Sequence, residues 1–409
     1  MELEIKELRG HIMNILKICG QFGIDALRSQ VISKGLINNS WKVTAVNGET
    51  YIVQSINTNV FKNVDKLMDN ISKVTTHIKE KVENSGGDPS REVLQVVPCL
   101  GDKQKLYYKS EDDNQYFRVY RCIDNANTYD DASLQLLYQA GVGFGKFQQQ
   151  LSDFPSDTLY ESIPDFHNTI KRFETFEQKL DNLSFEEYTK ARKEIIKTLK
   201  GFEYARKIME PLTNHEIPQR VVHNDTKLNN VMLDDNDHHA VCVIDLDTIM
   251  PGSLLFDYGD AIRFCANTGA EDDRNIDNVG IAPKKFVAFT HGFLSQTAER
   301  LTEKELSLMS VAPLVITYEL SLRFLTDYLD GNKYFKTDPS RPDHNLERAR
   351  AQLKLFDSFK EHESDMDRTI KKIYYLCLDH NLKLSGGHKV PNVKHLNRNR
   401  EARTIAKRR

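Results

Sequence analysis

The chain has 409 residues and a formal net charge of −3, with lysine and arginine nearly balancing aspartate and glutamate. That length exceeds what one core ordinarily serves, so two or more lobes with a cleft between them are expected. The balanced charge provides no global field toward nucleic acid or an anionic membrane, and partners must be argued from local sites.

The six cysteines, Cys19, Cys99, Cys122, Cys242, Cys265 and Cys377, are far apart and mostly in apolar segments. They lack paired metal-ligand spacing and read as reduced core thiols. The start, MELEIKELRG, is acidic and alternating where a secretory signal is basic and then apolar. No later run approaches ~18 apolar residues, so a soluble cytoplasmic protein is expected.

From about residue 27 to 123 apolar residues alternate, as in KVTAV, YIVQSI, LQVVP and YFRVYRCI, separated by turn signals such as VNGET and NSGGDPSR. This predicts a small antiparallel sheet. SKGLINNSWKV holds Gly35 between two strand-like pieces, where it can form a nucleotide-covering turn or an ordinary one. NVDKLMDNISKVTTHIKEKVE sets Val64, Leu67, Met68, Ile71 and Val74 on one face, predicting one helix packed on the sheet.

After residue 131 helical periodicity dominates, so the expected class is α+β: a sheet lobe over residues 1–123, a mainly helical lobe over 124–385, and a basic tail over 386–409. The tail reads as solvated rather than as a nucleic-acid site. AGVGFGKF mimics a dinucleotide fingerprint but follows a helical pattern instead of a strand, so Gly141, Gly143 and Gly145 are assigned to close helix packing.

Residues 221–248, VVHNDTKLNNVMLDDNDHHAVCVIDLDT, are a strand-like island among these helices. Asp225 precedes Asn230 by five residues, the spacing of a kinase catalytic loop in which the aspartate accepts a hydroxyl proton and the asparagine holds magnesium. A hairpin built from VML, DDNDHH and AVCVI carries Asp245 back beside Asn230. One amide and one carboxylate suit Mg2+, which keeps waters and is completed by substrate phosphates. Lys227 lies in the same loop, where its ammonium can meet a γ-phosphate or remain an exposed loop lysine.

Asp234, Asp235, Asn236 and Asp237 read as turn residues. Asp225 and Asp245, at the ends of apolar strands, do not, because an unpaired carboxylate is costly there unless it serves a metal or a proton. His223 is read as structural. His238 and His239 are rejected as zinc ligands, since neighbours on a polar turn diverge and lack companions.

HNDTKLNN followed by VIDLDT resembles the aminoglycoside phosphotransferase family, whose bilobal fold is like that of protein kinases. YIVQSINTNVFKN, FRVYRCIDNANTYD and VIDLDTIMPGSLLFDYGDAIR narrow the resemblance to the N-acetylhexosamine 1-kinases, which use ATP and magnesium to phosphorylate the anomeric hydroxyl of N-acetylglucosamine or N-acetylgalactosamine. The resemblance covers residues 30 to 380 or so and leaves out the basic tail. It implies Asp225 as general base, Asn230 and Asp245 as magnesium ligands, and Thr248, Arg323 and Tyr334 as the sugar site.

Arg323 also falls four residues after Glu319 and four before Asp327, the pattern of an ion-pair ladder. Asp257 and Asp260 match a region where the wider family braces the catalytic loop. One departure concerns the phosphates: where many kinases carry a strand lysine, YIVQSIN offers Gln54, leaving Lys227, or Lys34 beside Gly35, to supply the charge. The rivals are a same-fold kinase for an aminoglycoside, choline or another sugar, which an acidic pocket would favour, and a silent nucleotide or sugar sensor; the run AEDDRNIDN keeps a cationic substrate open but reads first as a solvated loop.

Overall fold

Alternating apolar side chains fold the first part of the chain into an antiparallel sheet. Its strands are β1 (Ala26–Ile32), β2 (Asn39–Ala45), β3 (Thr50–Ile56), β4 (Val96–Val97), β5 (Tyr108–Lys109) and β6 (Tyr116–Arg121), ordered β1-β2-β3-β6-β4 with β5 also on β6. The computed structural model describes residues 14–32, 38–111, 114–130, 133–181 and 183–384. Lys34, Gly35 and the tail beyond residue 384 lie outside them.

The two faces of the sheet differ, as a period of two requires. Val43, Val53 and Val119 turn to a core shared with Ile15, Ile18 and Phe22. Gln54 and Arg118, paired across β3 and β6, take the opposite parity. A helix, α1 (Val64–Asn84), packs in the sheet lobe and buries Val64, Leu67, Met68, Ile71 and Val74, the stripe its periodicity predicts. Asn63 caps it by accepting the Lys66 amide.

The second lobe is built mainly from α2 (Leu134–Gln150), α3 (Thr169–Leu180), α4 (Phe185–Lys200), α5 (Phe202–Thr213), α6 (Leu254–Cys265), α7 (Pro283–Thr297), α8 (Ala312–Leu329) and α9 (His344–Leu384). Among them run β7 (Ala126–Asn127), β8 (Arg220–Val222), β9 (Val231–Asp234), β10 (Ala240–Val243) and β11 (Met250–Gly252). β9 and β10 form the predicted hairpin, with Val231 opposite Val243 and a register shift beyond Cys242. β8 pairs with β11.

Of the glycines of AGVGFGKF, Gly141 and Gly145 serve helix contact, as expected, whereas Gly143 faces Val231 and Ala240 of the β9–β10 hairpin. A Cβ on Gly141 would stand 2.3 Å from the Phe289 carbonyl, and one on Gly292 1.9 Å from that of Tyr138, so α2 and α7 touch backbone to backbone. An apolar cluster joins Phe61, Leu67 and Ile71 of the sheet lobe to Phe147, Val221, Val241 and Ile249 of the helical lobe, so the lobes share a core. No described helix is long and apolar enough to cross a membrane.

Candidate active site

Leaving β8, the chain enters HNDTKLNN, and α6 shapes this loop from below. The Asp257 carboxylate accepts the amides of His223 at 2.9 Å and Asn224 at 2.8 Å and the Gln148 side-chain amide at 2.7 Å. Burial pushes this carboxyl up, and the three N–H groups and the nearby His223 ring oppose that. Asp260 accepts the Thr226 amide at 3.3 Å and pairs with Arg263 at 2.8 Å. Its burial is outweighed by the charges of Arg263 and Lys227, which hold it below the usual carboxylate range.

His223 is fully buried, bonded through Nε2 to the Ile244 carbonyl and through Nδ1 to the Asp225 amide. It is a scaffold residue, as the sequence suggests. Asn224 adopts the left-handed conformation, φ 64°, and its amide donates to the Thr248 carbonyl.

Asp225 is then presented beside Asn230, whose Nδ2 donates to the Asp225 carbonyl at 2.8 Å and to its Oδ2 at 3.2 Å. Asn230 Oδ1 accepts no hydrogen bond among the described residues. Lys227 Nζ lies 2.6 Å from Asp225 Oδ1. Burial works against its charge, yet Asp225 and then Asp260 hold the ammonium above its ordinary range.

The β9–β10 hairpin returns the second loop to the same place, and the Ile244 amide donates to the Asn230 carbonyl at 2.9 Å. Asp245 follows in the left-handed region, φ 61° and ψ 60°, unusual for a residue with a Cβ. Its carboxylate has no hydrogen bond or ion pair among the described residues. Its side chain is exposed to solvent on one side, although the surrounding protein desolvates it. Desolvation first, and then the charges of Asp247 and Asp225, push its carboxyl up to about 6, with Arg118 opposing.

An unpaired carboxylate that feels the charges of Asp247 and Asp225, on a loop bonded to Asn230, offers oxygen donors of the kind a hard divalent cation takes. The three residues singled out for transfer chemistry therefore converge.

The sequence model of the phosphotransferase enzyme family (APH) matches residues 29–281, more than half of the chain. The chain belongs to this family. Among solved structures, the phosphotransferase is similar to a microcompartment-associated aminopropanol kinase, with a TM-score of 0.56 and 11% identity over 86% of this chain and 98% of that one. It is also similar to an aminoglycoside phosphotransferase from Alicyclobacillus acidocaldarius, with a TM-score of 0.54 and 13% identity over 85% and 96%. At such identities the likeness shows the fold, the expected kinase-like arrangement of an antiparallel sheet lobe and a mainly helical lobe.

The residues expected at the sugar site fare differently. Thr248 is buried, and its hydroxyl donates to the His223 carbonyl at 2.7 Å, so it ties the two loops together. Arg323 forms no ion-pair ladder. Glu319 engages His167 at 2.9 Å and Thr169 at 2.6 Å, and Asp327 accepts the backbone amides of Tyr334 and Phe335. The helical spacing was right, but tertiary partners claim both acids. The Arg323 guanidinium instead lies over the rings of Phe166, Tyr334 and Phe335 at 5.3, 5.9 and 5.4 Å. Tyr334 is 63% exposed.

A cavity of about 330 Å³ is walled by Asn224, Phe166, His167, Phe256, Met250 and Met209 among others. Phe166 thus borders both this cavity and Arg323, while Asn224 links the cavity to the catalytic loop.

Two readings need correction. Of the turn histidines, His239 does have companions: Asp234, Asp237 and His239 bring ligand atoms within 4.8 Å of one another, because the hairpin turn gathers them, whereas His238 bonds to Tyr129. The Asp234 carboxylate is already bound by Arg91 at 2.8 Å and the Asn236 amide at 2.8 Å. The acidic run near residue 271 is likewise not a free solvated loop, since Glu271 pairs with Arg263, and Asp272 with Arg341 and His344.

Sequence reasoning missed Arg118. It donates to Gln54 Oε1 from Nε at 3.1 Å and Nη2 at 2.9 Å, and from Nη2 to Asp247 Oδ2 at 2.8 Å. A charge inside the apolar run YFRVY, at the parity opposite to buried Val119, was the available signal.

Proposed function

We propose that the protein is an ATP- and Mg2+-dependent kinase that phosphorylates the anomeric hydroxyl of an N-acetylhexosamine, N-acetylglucosamine or N-acetylgalactosamine, giving the sugar 1-phosphate. One observation carries the transfer chemistry: Asp225 stands within 3.2 Å of Asn230 Nδ2, and the hairpin bonds Ile244, the neighbour of unpartnered Asp245, to the Asn230 carbonyl. Asp225 receives the proton of the attacking hydroxyl. Lys227, held against Asp225, steadies that carboxylate and offers its ammonium to the γ-phosphoryl group. Asn230 Oδ1 and the Asp245 carboxylate would hold Mg2+, which when bound would supply positive charge against the charge developing on the transferred group.

The acceptor side is read from Arg323, Tyr334 and the adjoining cavity, whose volume lies at the small end for ligand pockets. Arg172 donates to the Phe166 carbonyl at 3.2 Å and Arg323 covers the Phe166 ring, and neither guanidinium has a carboxylate ion pair among the described residues. After burial, the charge of Arg323 is the leading reason why Arg172 is held below its ordinary range. Two unpaired cations suit a neutral acceptor offering an acetamido carbonyl, and they repel an ammonium.

A second reading, a kinase for amino alcohols or aminoglycosides, draws on Glu161 and Asp165 in the cavity wall. Asp165, however, is tied to Lys171 at 2.8 Å. The six free thiols, five of them buried, suit a cytoplasmic location.

The test is phosphorus NMR of protein with ATP, Mg2+ and a panel of amino sugars, free sugars, choline, ethanolamine and an aminoglycoside. Sugar 1-phosphate is the expected product, with the acceptor KM of Arg323→Ala raised about tenfold and that of ATP unmoved, as loss of one guanidinium contact implies. Product from the amino alcohols alone, or none from any acceptor, overturns the proposal.

A further inference from the structure

Resting on the kinase reading above, we propose that Arg118 and Asp247 are positioning residues: their buried ion pair fastens the Asp245 loop to the sheet lobe, so that metal binding depends on a residue that touches neither metal nor nucleotide. Arg118 is 1% exposed and Asp247 3%. The guanidinium fork is fully engaged. Nε and Nη2 donate to Gln54 Oε1, Nη2 also to Asp247 Oδ2, and Nη1 lies 2.5 Å from Asp247 Oδ1 and 3.9 Å from Met68 Sδ. The Tyr120 ring lies under it at 5.1 Å. With Gln54 and Asp247 on its edge, the Tyr120 ring on its face and 1% of its surface exposed, Arg118 is closed off from a phosphate.

This arrangement also accounts for the absent strand lysine. Gln54 faces Arg118 directly across the β3–β6 ladder, and its other amide end donates to Ser40 Oγ at 3.1 Å. A lysine at position 54 would set an ammonium where two guanidinium N–H groups now converge on an acceptor, a like-charge contact in a dry site. The glutamine and the arginine are one unit: the sheet lobe's cation has moved to the neighbouring strand, and it addresses a carboxylate of the metal loop.

The loop is held from the sheet lobe at three points. Besides Arg118, Asn38 donates from Nδ2 to Asp247 Oδ2 at 2.6 Å and accepts the Asn57 backbone amide on its Oδ1 at 3.0 Å, and Asn70 of α1 donates to the Ile249 carbonyl at 3.2 Å. From the helical lobe, Ser162 donates to the Asp247 carbonyl at 3.2 Å. Asp245 begins this segment in a left-handed conformation, with no bond to its own carboxylate. A backbone state that is rare for a residue with a Cβ persists where its surroundings over-determine it, and here the over-determining contacts are those of Asp247 and Ile249.

The experiment measures Mn2+ binding by electron paramagnetic resonance, to the full chain with a non-hydrolysable ATP analogue, and analogue binding alone in EDTA. Arg118→Met and Asp247→Asn should each raise the Mn2+ dissociation constant ~10-fold or more, as outer-shell changes do, with analogue affinity in EDTA unchanged and the double variant no worse than the weaker-binding single one. Arg118→Lys, which keeps charge but loses the fork, should fall between, and it serves if the methionine variant fails to fold. Lowered thermal stability with unchanged Mn2+ affinity makes the pair merely structural and overturns the proposal. Weakened analogue binding in EDTA puts Arg118 on the phosphates and overturns it as well. If the unaltered protein binds no Mn2+ with the analogue, the kinase reading itself fails.

Discussion

The loop bearing Asp225 and the loop bearing Asp245 meet at one site but are held by different bodies. HNDTKLNN takes its shape from the helical lobe, through Asp257 and Asp260 on α6 and the Thr248 contacts. The segment after β10 is fastened in addition to the sheet lobe, through Arg118, Asn38 and Asn70. The proposed base and Asn230 therefore belong to one lobe, while Asp245, the other proposed metal ligand, answers to both. In such a design the lobes must sit correctly before charge and hydroxyl can be aligned, and a change to either anchor should damage a different half of the chemistry.

The largest effect should come from the anchor of the first loop. Asp257→Ala strips three buried N–H groups of their acceptor, and at 1–3 kcal/mol for each unsatisfied donor it should cost about 3 kcal/mol or more of stability. Urea unfolding should show that loss together with failing activity. Loss of activity at unchanged stability would mean that α6 does not shape the loop.

Next in size is the base. Asp225→Asn should leave the unfolding midpoint nearly unmoved yet lower turnover by ~10² or more. Turnover within a few-fold of the parent would remove Asp225 from the mechanism and sever the contrast between the loops.

The smallest effect concerns Asp245 without metal. Its carboxyl is pushed up to about 6 from an unfolded value near 3.9. A raised acid adds to stability while protonated, fully below the unfolded value, and that contribution is lost as pH rises through the folded one. Asp245→Asn removes the like-charge burden, so in EDTA the variant should be more stable than the parent at pH 7.5. The gain should be about 1 kcal/mol once the exposure of the group is allowed for, and it should vanish near pH 4. Thermal melts at both pH values check this, and a variant less stable at pH 7.5 would mean that Asp245 holds the loop instead of being held.

Much of this molecule could be read in advance. The sheet alternation, the stripe of α1, the β9–β10 hairpin and the five-residue step from Asp225 to Asn230 all follow from local periodicity and turn chemistry, which act between near neighbours in the chain. The role of Asp257 was also foreseeable, from its place in LLFDYGDAIR.

What the sequence by itself determined is thus the kind of element at each position and the identity of the loops that carry the chemistry. The tertiary structure alone decided who partners whom across long separations: that Asp247 goes to Arg118, 129 residues away, that Glu319 leaves Arg323 for His167, and that the turn acids meet His239. Those pairings depend on distances set only when the lobes and helices pack, and charge partners are chosen by proximity in space, which spacing along the chain does not encode.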